Sequence, residues 1–169
     1  HKNEEWFNTE SIEEIESYLY AARESFWDSI KKIISWKPKI SSYTTTRNCI
    51  EQNYPWVQCI ESMLGFSDQV VVLDGGSTDG TWEKLKSWAL EEPRLTIEQI
   101  KRDWTDSRHA VFDGQQKAEA RKLCTGEFLW QQDADEIVHE DDYNKIIDLC
   151  TNFPRLCTLI ALPVIEYWG

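Results

Sequence analysis

The chain has 169 residues, of which 41% are hydrophobic and 28% charged, and this composition fits one globular domain with a buried core. Eighteen basic residues against thirty acidic ones give a net charge of −12 without a Lys/Arg cluster, so we expect no nucleic-acid partner. The apolar runs are far shorter than the roughly 20 residues of a membrane span, so we expect no membrane span. The five cysteines form no C-x-x-C pair, which argues against a disulfide framework or a zinc site and predicts a cytoplasmic protein.

The first predicted element is an amphipathic helix within an N-terminal helical extension, residues 1–37. Apolar residues recur at spacings of three and four from Ile12 to Ile33, and Pro38 ends the pattern. Such a face packs on the chain's own domain or forms a partner or oligomer interface, and the sequence leaves both open. Because the chain begins with His1 and stops within a predicted strand, we expect more chain or further domains beyond both ends.

From residue 38 onwards, runs typical of strands alternate with runs of helical period. The predicted strands are KISSYTTT, QVVVLD, RLTIEQI, EFLWQQD and CTLIALPVIEY. The predicted helices between them are NYPWVQCIESML, GTWEKLKSWAL, GQQKAEARKLC and EDDYNKIIDLC. Strands that alternate with helices predict βαβ units, and therefore an α/β/α domain with a mainly parallel sheet over residues 38–169.

Polar residues follow three of these strands: the first group runs from Thr45 to Asn48, the second begins at Asp74 and the third at Asp133. Because the carboxyl ends of parallel strands meet at one edge of a sheet, we expect these loops to share the edge where ligand crevices form. Gly75 and Gly76 would let the backbone approach a flat ligand, and Asp74 would be free to accept a hydrogen bond from the N–H of a base. The alternative is an ordinary turn that Asp74 caps.

Three carboxylates, those of Asp133, Asp135 and Glu136, lie within four residues. Two carboxylates about 5 Å apart repel by roughly 3 kcal/mol at an effective dielectric of 20, and a bound Mn²⁺ or Mg²⁺ would remove that cost. The alternative is a solvated helix N-terminus, since acids favour that position and a predicted helix follows. On the residues alone both interpretations of this loop stay open, a divalent-metal site and a solvated helix N-terminus.

The blocks ISSYTTTRN, DQVVVLDGGSTDGTWEKL and ARKLCTGEFLWQQDADE resemble the successive blocks of family 2 glycosyltransferases, the inverting nucleotide-sugar enzymes with the GT-A fold. The resemblance covers roughly residues 39–167. It implies a GT-A, Rossmann-like fold, a uridine-type pocket in which Asp74 recognises the base, and Mn²⁺ or Mg²⁺ bound to Asp133 and Asp135 with the donor diphosphate. The residues that it assigns to the nucleotide sugar are Thr46, Arg47, Asp74, Gly75, Lys117, Arg121, Asp133 and Ala134.

The chain departs from that family in two places. The family commonly has two consecutive acids where this chain has Asp74-Gly75, and no residue matches the family's catalytic base, which we expect beyond residue 169. Trp104, in the loop after the third strand, is the tryptophan best placed to contact a ligand.

The resulting hypothesis is the nucleotide-sugar-binding part of a metal-dependent glycosyltransferase. It would transfer sugar with inversion from a UDP-type donor to an acceptor hydroxyl on a glycan, lipid or protein. The alternatives are a non-catalytic nucleotide-sugar- or metal-binding module and another nucleotide-processing α/β enzyme.

Overall fold

The computed structural model describes residues 9–34, 37–105, 109–154 and 156–166. Contacts divide the chain into two compact units, residues 1–37 and residues 38–169. The first unit contains one helix, α1 (Thr9–Ile34), in its described part, as the spacing of the apolar residues predicts. Among the helices that the structure describes, none has the length and hydropathy needed to cross a lipid bilayer.

The second unit alternates strands with helices. Its strands are β1 (Ile40–Thr46), β2 (Gln69–Asp74), β3 (Leu95–Gln99) and β4 (Phe128–Gln131). Its helices are α2 (Trp56–Leu64), α3 (Thr81–Glu91), α4 (His109–Lys122) and α5 (Tyr143–Thr151), and a short 3₁₀ helix (Glu140–Asp142) precedes α5. The predicted order of strands and helices is confirmed from β1 to α5.

The four strands form one sheet in the order β3-β2-β1-β4, and every neighbouring pair is parallel. In the ladder Thr46 lies opposite Asp74, Asp74 lies opposite Gln99, and Tyr43 lies opposite Gln131. The prediction of a mainly parallel α/β domain is therefore confirmed, and the carboxyl ends of β2, β1 and β4 are neighbours.

Strand β2 is buried on both faces, and this explains its unbroken apolar sequence. Val70 and Val72 pack into a core with side chains of α2, α3 and α5, whereas Val71 and Leu73 pack into a second core that includes Ala120 of α4. Each fully buried side chain of this size stabilises the fold by about 1.5–3 kcal/mol. The strand is thus a rigid support for the loop that follows it.

The last predicted strand, CTLIALPVIEY, is wrong over its described residues. Residues 157–166 have no regular structure, and the exposed fractions of Leu159, Val164 and Ile165 are 83%, 63% and 75%. A strand requires a neighbour for its ladder of hydrogen bonds, and none of the four described strands pairs with this segment. High β-propensity alone does not supply that neighbour.

Candidate functional site

Loops that follow β1, β2 and β4 meet at one edge of the sheet, as predicted. The loop after β2 is joined to the end of β1 by a hydrogen bond in which the backbone N–H of Gly75 donates to the carbonyl of Thr46 at 2.8 Å. The loop after β4 is joined to β1 by a bond from the N–H of Gln132 to the carbonyl of Tyr43 at 3.2 Å. We call this edge, formed by residues 46–48, 74–80, 100–104 and 132–136, the rim.

Cys49 is a buried thiol at the rim on which acids of two loops act. Burial raises the pKa of this thiol to about 11, and the negative charges of Asp74, Asp79 and Asp135 act in the same direction. These carboxylates belong to two loops that are more than fifty residues apart in sequence, yet all of them act on one side chain. The structure therefore concentrates negative charge at the rim.

Asp74 differs from the expectation that its carboxylate is free for a base. The side chain is 0% exposed, and its two oxygens accept five hydrogen bonds. The donors are the hydroxyls of Thr46 and Ser77, the backbone N–H groups of Gly76 and Ser77, and the amide of Gln99. The alternative interpretation, a turn capped by Asp74, describes the structure, because every acceptor direction of the carboxylate already has a donor.

Trp104 occupies the space beside Gly75 that a flat ligand was expected to use. Its indole N–H donates to the carbonyl of Gly75 at 2.7 Å, and a Cβ on residue 75 would lie 2.8 Å from Cζ2 of the indole. Arg47 lies over the same indole, with its guanidinium carbon 4.5 Å from the ring centroid. Phe112 contacts Trp104 edge to face at 5.9 Å. Glycine at position 75 is thus required by the close approach of the tryptophan.

Gln132 organises the acidic loop after β4. This buried side chain donates from Nε2 to the carbonyl of Glu136 at 2.7 Å and to the hydroxyl of Ser62 at 3.2 Å. Its Oε1 accepts from the indole N–H of Trp130 at 2.9 Å. Glu136 in turn accepts the backbone N–H of Asp133 at 2.9 Å, so this carboxylate closes the turn instead of pointing at a ligand.

Lys117 of α4 pairs with Asp133 at the start of the loop. Its ammonium lies 2.7 Å from Oδ1 of Asp133 and 3.0 Å from Oδ2 of Asp113. Partial burial lowers the pKa of Lys117, but its hydrogen bonds with the two carboxylates outweigh that effect and raise the pKa above its ordinary value. Repulsion within the acidic loop is therefore relieved in part by a lysine and a backbone N–H.

The donor set of the loop still fits a divalent cation that is shared with a ligand. Within the described ranges, no group of three or more His, Cys, Asp or Glu side chains is arranged to hold a metal. Asp135 is exposed, and among the contacts of the described residues Asp133 is paired only through Oδ1, so Oδ2 of Asp133 and one carboxylate oxygen of Asp135 can be offered to a cation. Mg²⁺ and Mn²⁺ are commonly held in this way, by one or two carboxylates with phosphate and water oxygens completing the shell.

The remaining predicted residues lie in different places. Ala134 packs against the core, and the hydroxyl of Thr46 is used by Asp74. Arg121 is exposed and lines an open groove of about 600 Å³ between α4 and the β4 edge, together with Lys117 and Gln131. Lys117 lines this groove and also pairs with Asp133 of the acidic loop. The structure thus gathers Arg47, Lys117, Asp133 and Asp135 at the rim and leaves Arg121 one helical turn away from it.

Three glutamines, of which Gln116 and Gln132 are buried and Gln99 is half-buried, were missed by the sequence analysis. Gln99 binds Asp74, Gln132 binds the acidic loop, and Gln116 donates to the carbonyl of Ile100 at 3.2 Å in the loop that carries Trp104. Gln99 ends β3, Gln132 directly follows β4, and Gln116 interrupts the apolar face of α4. A polar amide in such a position is a usable signal of a loop that needs internal hydrogen bonds.

Two solved structures of TarS from S. aureus share the fold of this chain. TarS 1-349 superimposes with a TM-score of 0.53 at 21% identity, over 68% of this chain and 32% of that one. A second TarS structure gives a TM-score of 0.50 at 23% identity, over 65% of this chain and 19% of that one. The likeness establishes a GT-A-type α/β fold, and this chain spans about a third or less of the TarS chains.

A mannosyltransferase, PcManGT from Pyrobaculum calidifontis in complex with GDP-Man and Mn²⁺, gives a TM-score of 0.47 at 24% identity, over 68% of this chain and 33% of that one. A superposition this loose bears on neither the ligands nor the activity of the present chain. No curated protein matches the sequence. The sequence profile of Glycosyl transferase family 2 matches residues 44–166, more than half of the chain and the whole of the rim. The chain therefore belongs to Glycosyl transferase family 2.

Proposed function

We propose that this chain binds the donor of a glycosyltransferase, a nucleoside-diphosphate sugar of the UDP type, together with Mn²⁺ or Mg²⁺. The sugar would pass with inversion to an acceptor hydroxyl. The observation that carries the proposal is the convergence, at one edge of a parallel sheet, of the exposed Asp135, the Asp133–Lys117 pair and Arg47. This edge is where ligands bind in open α/β sheets.

The chemistry of the rim suits a diphosphate that must leave with increased negative charge. A cation held by Asp133 and Asp135 would supply Lewis-acid stabilisation of the departing diphosphate. Lys117 orients the carboxylate of Asp133, since its ammonium is 2.7 Å from Oδ1. Arg47 adds a fixed positive charge on the opposite side of the rim. Removal of the proton from the acceptor is assigned to a base outside the described residues.

Substitution of Asp135 tests the metal-dependent part of the proposal. Asp135→Asn removes an exposed negative charge without removing a contact on which the loop depends, so we expect an unchanged melting temperature. Calorimetric titration with UDP should show binding in the presence of Mn²⁺, and the variant should lose it. Asp148→Asn, which changes an exposed acid on α5, is the matched control and should bind like the wild type.

Two results would contradict the proposal. The first is UDP binding that is equal with Mn²⁺, with Ca²⁺ and with chelator, because the acidic loop would then not share a transition-metal or magnesium ion with the diphosphate. The second is retention of full Mn²⁺-dependent binding by Asp135→Asn. Binding of Ca²⁺ alone, without any effect of nucleotide, would favour a structural metal-binding module instead.

A further inference from the structure

We propose that Arg47 and Trp104 form the stacking surface for the nucleobase, and that Gly75 is glycine so that the indole can lie against the backbone there. This inference rests on the proposed function, because it concerns how the base of the donor is held. In this mode the protein holds the base by stacking on its face, and not through the carboxylate of Asp74 that the sequence analysis expected to recognise the base.

The first step is that Asp74 and Gly75, the first two residues of the rim at the end of β2, offer the base no free side-chain acceptor. The carboxylate of Asp74 is 0% exposed and accepts five hydrogen bonds within the protein. Gly75 has no side chain, and the carbonyl of Gly75 accepts the indole N–H of Trp104. A base at this part of the rim must therefore be held by its faces or by other groups.

The second step is that the indole is held in one orientation. Its N–H bond to Gly75 is 2.7 Å long, and Phe112 packs against it at an interplanar angle of 86°. Cζ2 of the indole and Nε2 of Gln116 lie 2.8 Å and 3.1 Å from the place where a Cβ on residue 75 would be. A side chain at position 75 would displace the indole, so glycine and tryptophan fit together as a pair.

The third step is that the guanidinium of Arg47 packs on the indole and is itself partly exposed to solvent. Its guanidinium carbon lies 4.5 Å from the indole centroid, and the side chain is only half-buried. Within the described part of the chain, Arg47 makes no ion pair with a carboxylate. A planar cation that packs on an indole through one face presents its other face to a ligand, and bases stack on guanidinium planes as they do on aromatic rings.

The test separates contacts to the base from contacts to the diphosphate. Titrations with UDP and with inorganic pyrophosphate, both with Mn²⁺, are compared for the wild type and for Arg47→Lys, which keeps the charge and removes the plane. We expect UDP to bind about tenfold to a hundredfold more weakly to the variant and pyrophosphate to bind within about twofold of the wild type. Arg94→Lys, the same change at the opposite edge of the sheet, should alter neither.

Gly75→Ala provides a second variant that leaves Arg47 in place. The added methyl group should displace the indole and weaken UDP, but not pyrophosphate, while thermal unfolding reports that the domain is folded. Equal losses for UDP and pyrophosphate in Arg47→Lys would overturn the inference, because Arg47 would then contact phosphate. Unchanged UDP affinity in both variants would also overturn it. Wild-type protein that binds neither ligand would instead refute the proposed function.

Discussion

Asp74→Asn tests whether the loop after β2 is held together by its own carboxylate. Oδ1 of Asp74 accepts from the hydroxyls of Thr46, at 3.1 Å, and Ser77. Oδ2 accepts from the N–H groups of Gly76 and Ser77 at 3.0 Å and 2.8 Å and from the amide of Gln99 at 2.8 Å. All five bonds are made to a charged group that water does not reach, so the substitution changes every one of them.

The magnitude follows from what asparagine can replace. Its oxygen can take the position of Oδ2 and accept the three nitrogen donors, and its amide can face the two hydroxyls, which rotate to become acceptors. The O–H groups of Thr46 and Ser77 lose their acceptor in this arrangement, and bonds to a charge worth about 1.5–3 kcal/mol become neutral bonds worth about 1 kcal/mol. Allowing for the lower desolvation cost of the amide, we expect a loss of about 2 kcal/mol in the free energy of unfolding, or about 4–8 °C in melting temperature.

Urea denaturation and thermal unfolding measure this loss, with and without UDP and Mn²⁺. Asp79→Asn is the matched control, because Asp79 lies in the same loop and accepts two backbone N–H bonds while only half-buried. Its loss should be smaller, about 1 kcal/mol. A melting temperature of Asp74→Asn equal to that of the wild type, combined with abolished UDP binding, would refute the reasoning and make Asp74 a ligand contact.

Two further predictions concern the charge of the acidic loop and the packing of the sheet edge. Lys117→Met removes the ammonium that lies 2.7 Å from Asp133. Because Mn²⁺ would no longer have to displace an ion pair worth about 1 kcal/mol, Mn²⁺ alone should bind about fivefold more tightly in a direct titration. Weaker or unchanged Mn²⁺ binding would contradict this prediction. Gly126→Ala places a Cβ 2.6 Å from the backbone nitrogen of Ser41 and should cost about 2–3 kcal/mol in urea denaturation. Gly114→Ala, where nothing lies within 4 Å on α4, should instead stabilise by up to about 1 kcal/mol, and equal stabilities of the two variants would disprove the steric argument.

The fold could be predicted from the sequence because its signals are local. The period of apolar residues changes from about 3.6 to an unbroken run at β2 and back again at α3, and each change marks an element that the structure contains. Parallel connectivity then places the loops after β1, β2 and β4 at one edge without further information. Residues 157–166 show the limit of this reasoning, since a run with strand propensity forms a strand only when a neighbour is available to pair with it.

The side-chain contacts of the rim could not be predicted, because they join residues that are distant in sequence. Asp74 looked free at the end of its strand, but Thr46 and Gln99 approach it from the strands on both sides. Lys117 was assigned to the donor through a resemblance, and its ammonium lies against Asp133, which was assigned to the same donor. In each case the sequence identified the charged residue but not the side chain that it contacts. That contact depends on the order of the strands in the sheet and on the position of α4.

The charges of the rim determine whether an anionic nucleotide binds with or without a divalent cation. The chain carries a net charge of −12, but charges farther than about 8 Å are largely screened at physiological salt, so the groups at the rim dominate. There the positive charge of Lys117 is already matched by two carboxylates, and Asp135 is exposed. Arg47 alone cannot offset both Asp135 and a diphosphate. Under the proposed function, a nucleoside diphosphate therefore binds weakly without a divalent cation and well with one, and this requirement follows from the summed charge of the rim rather than from a preformed metal cage.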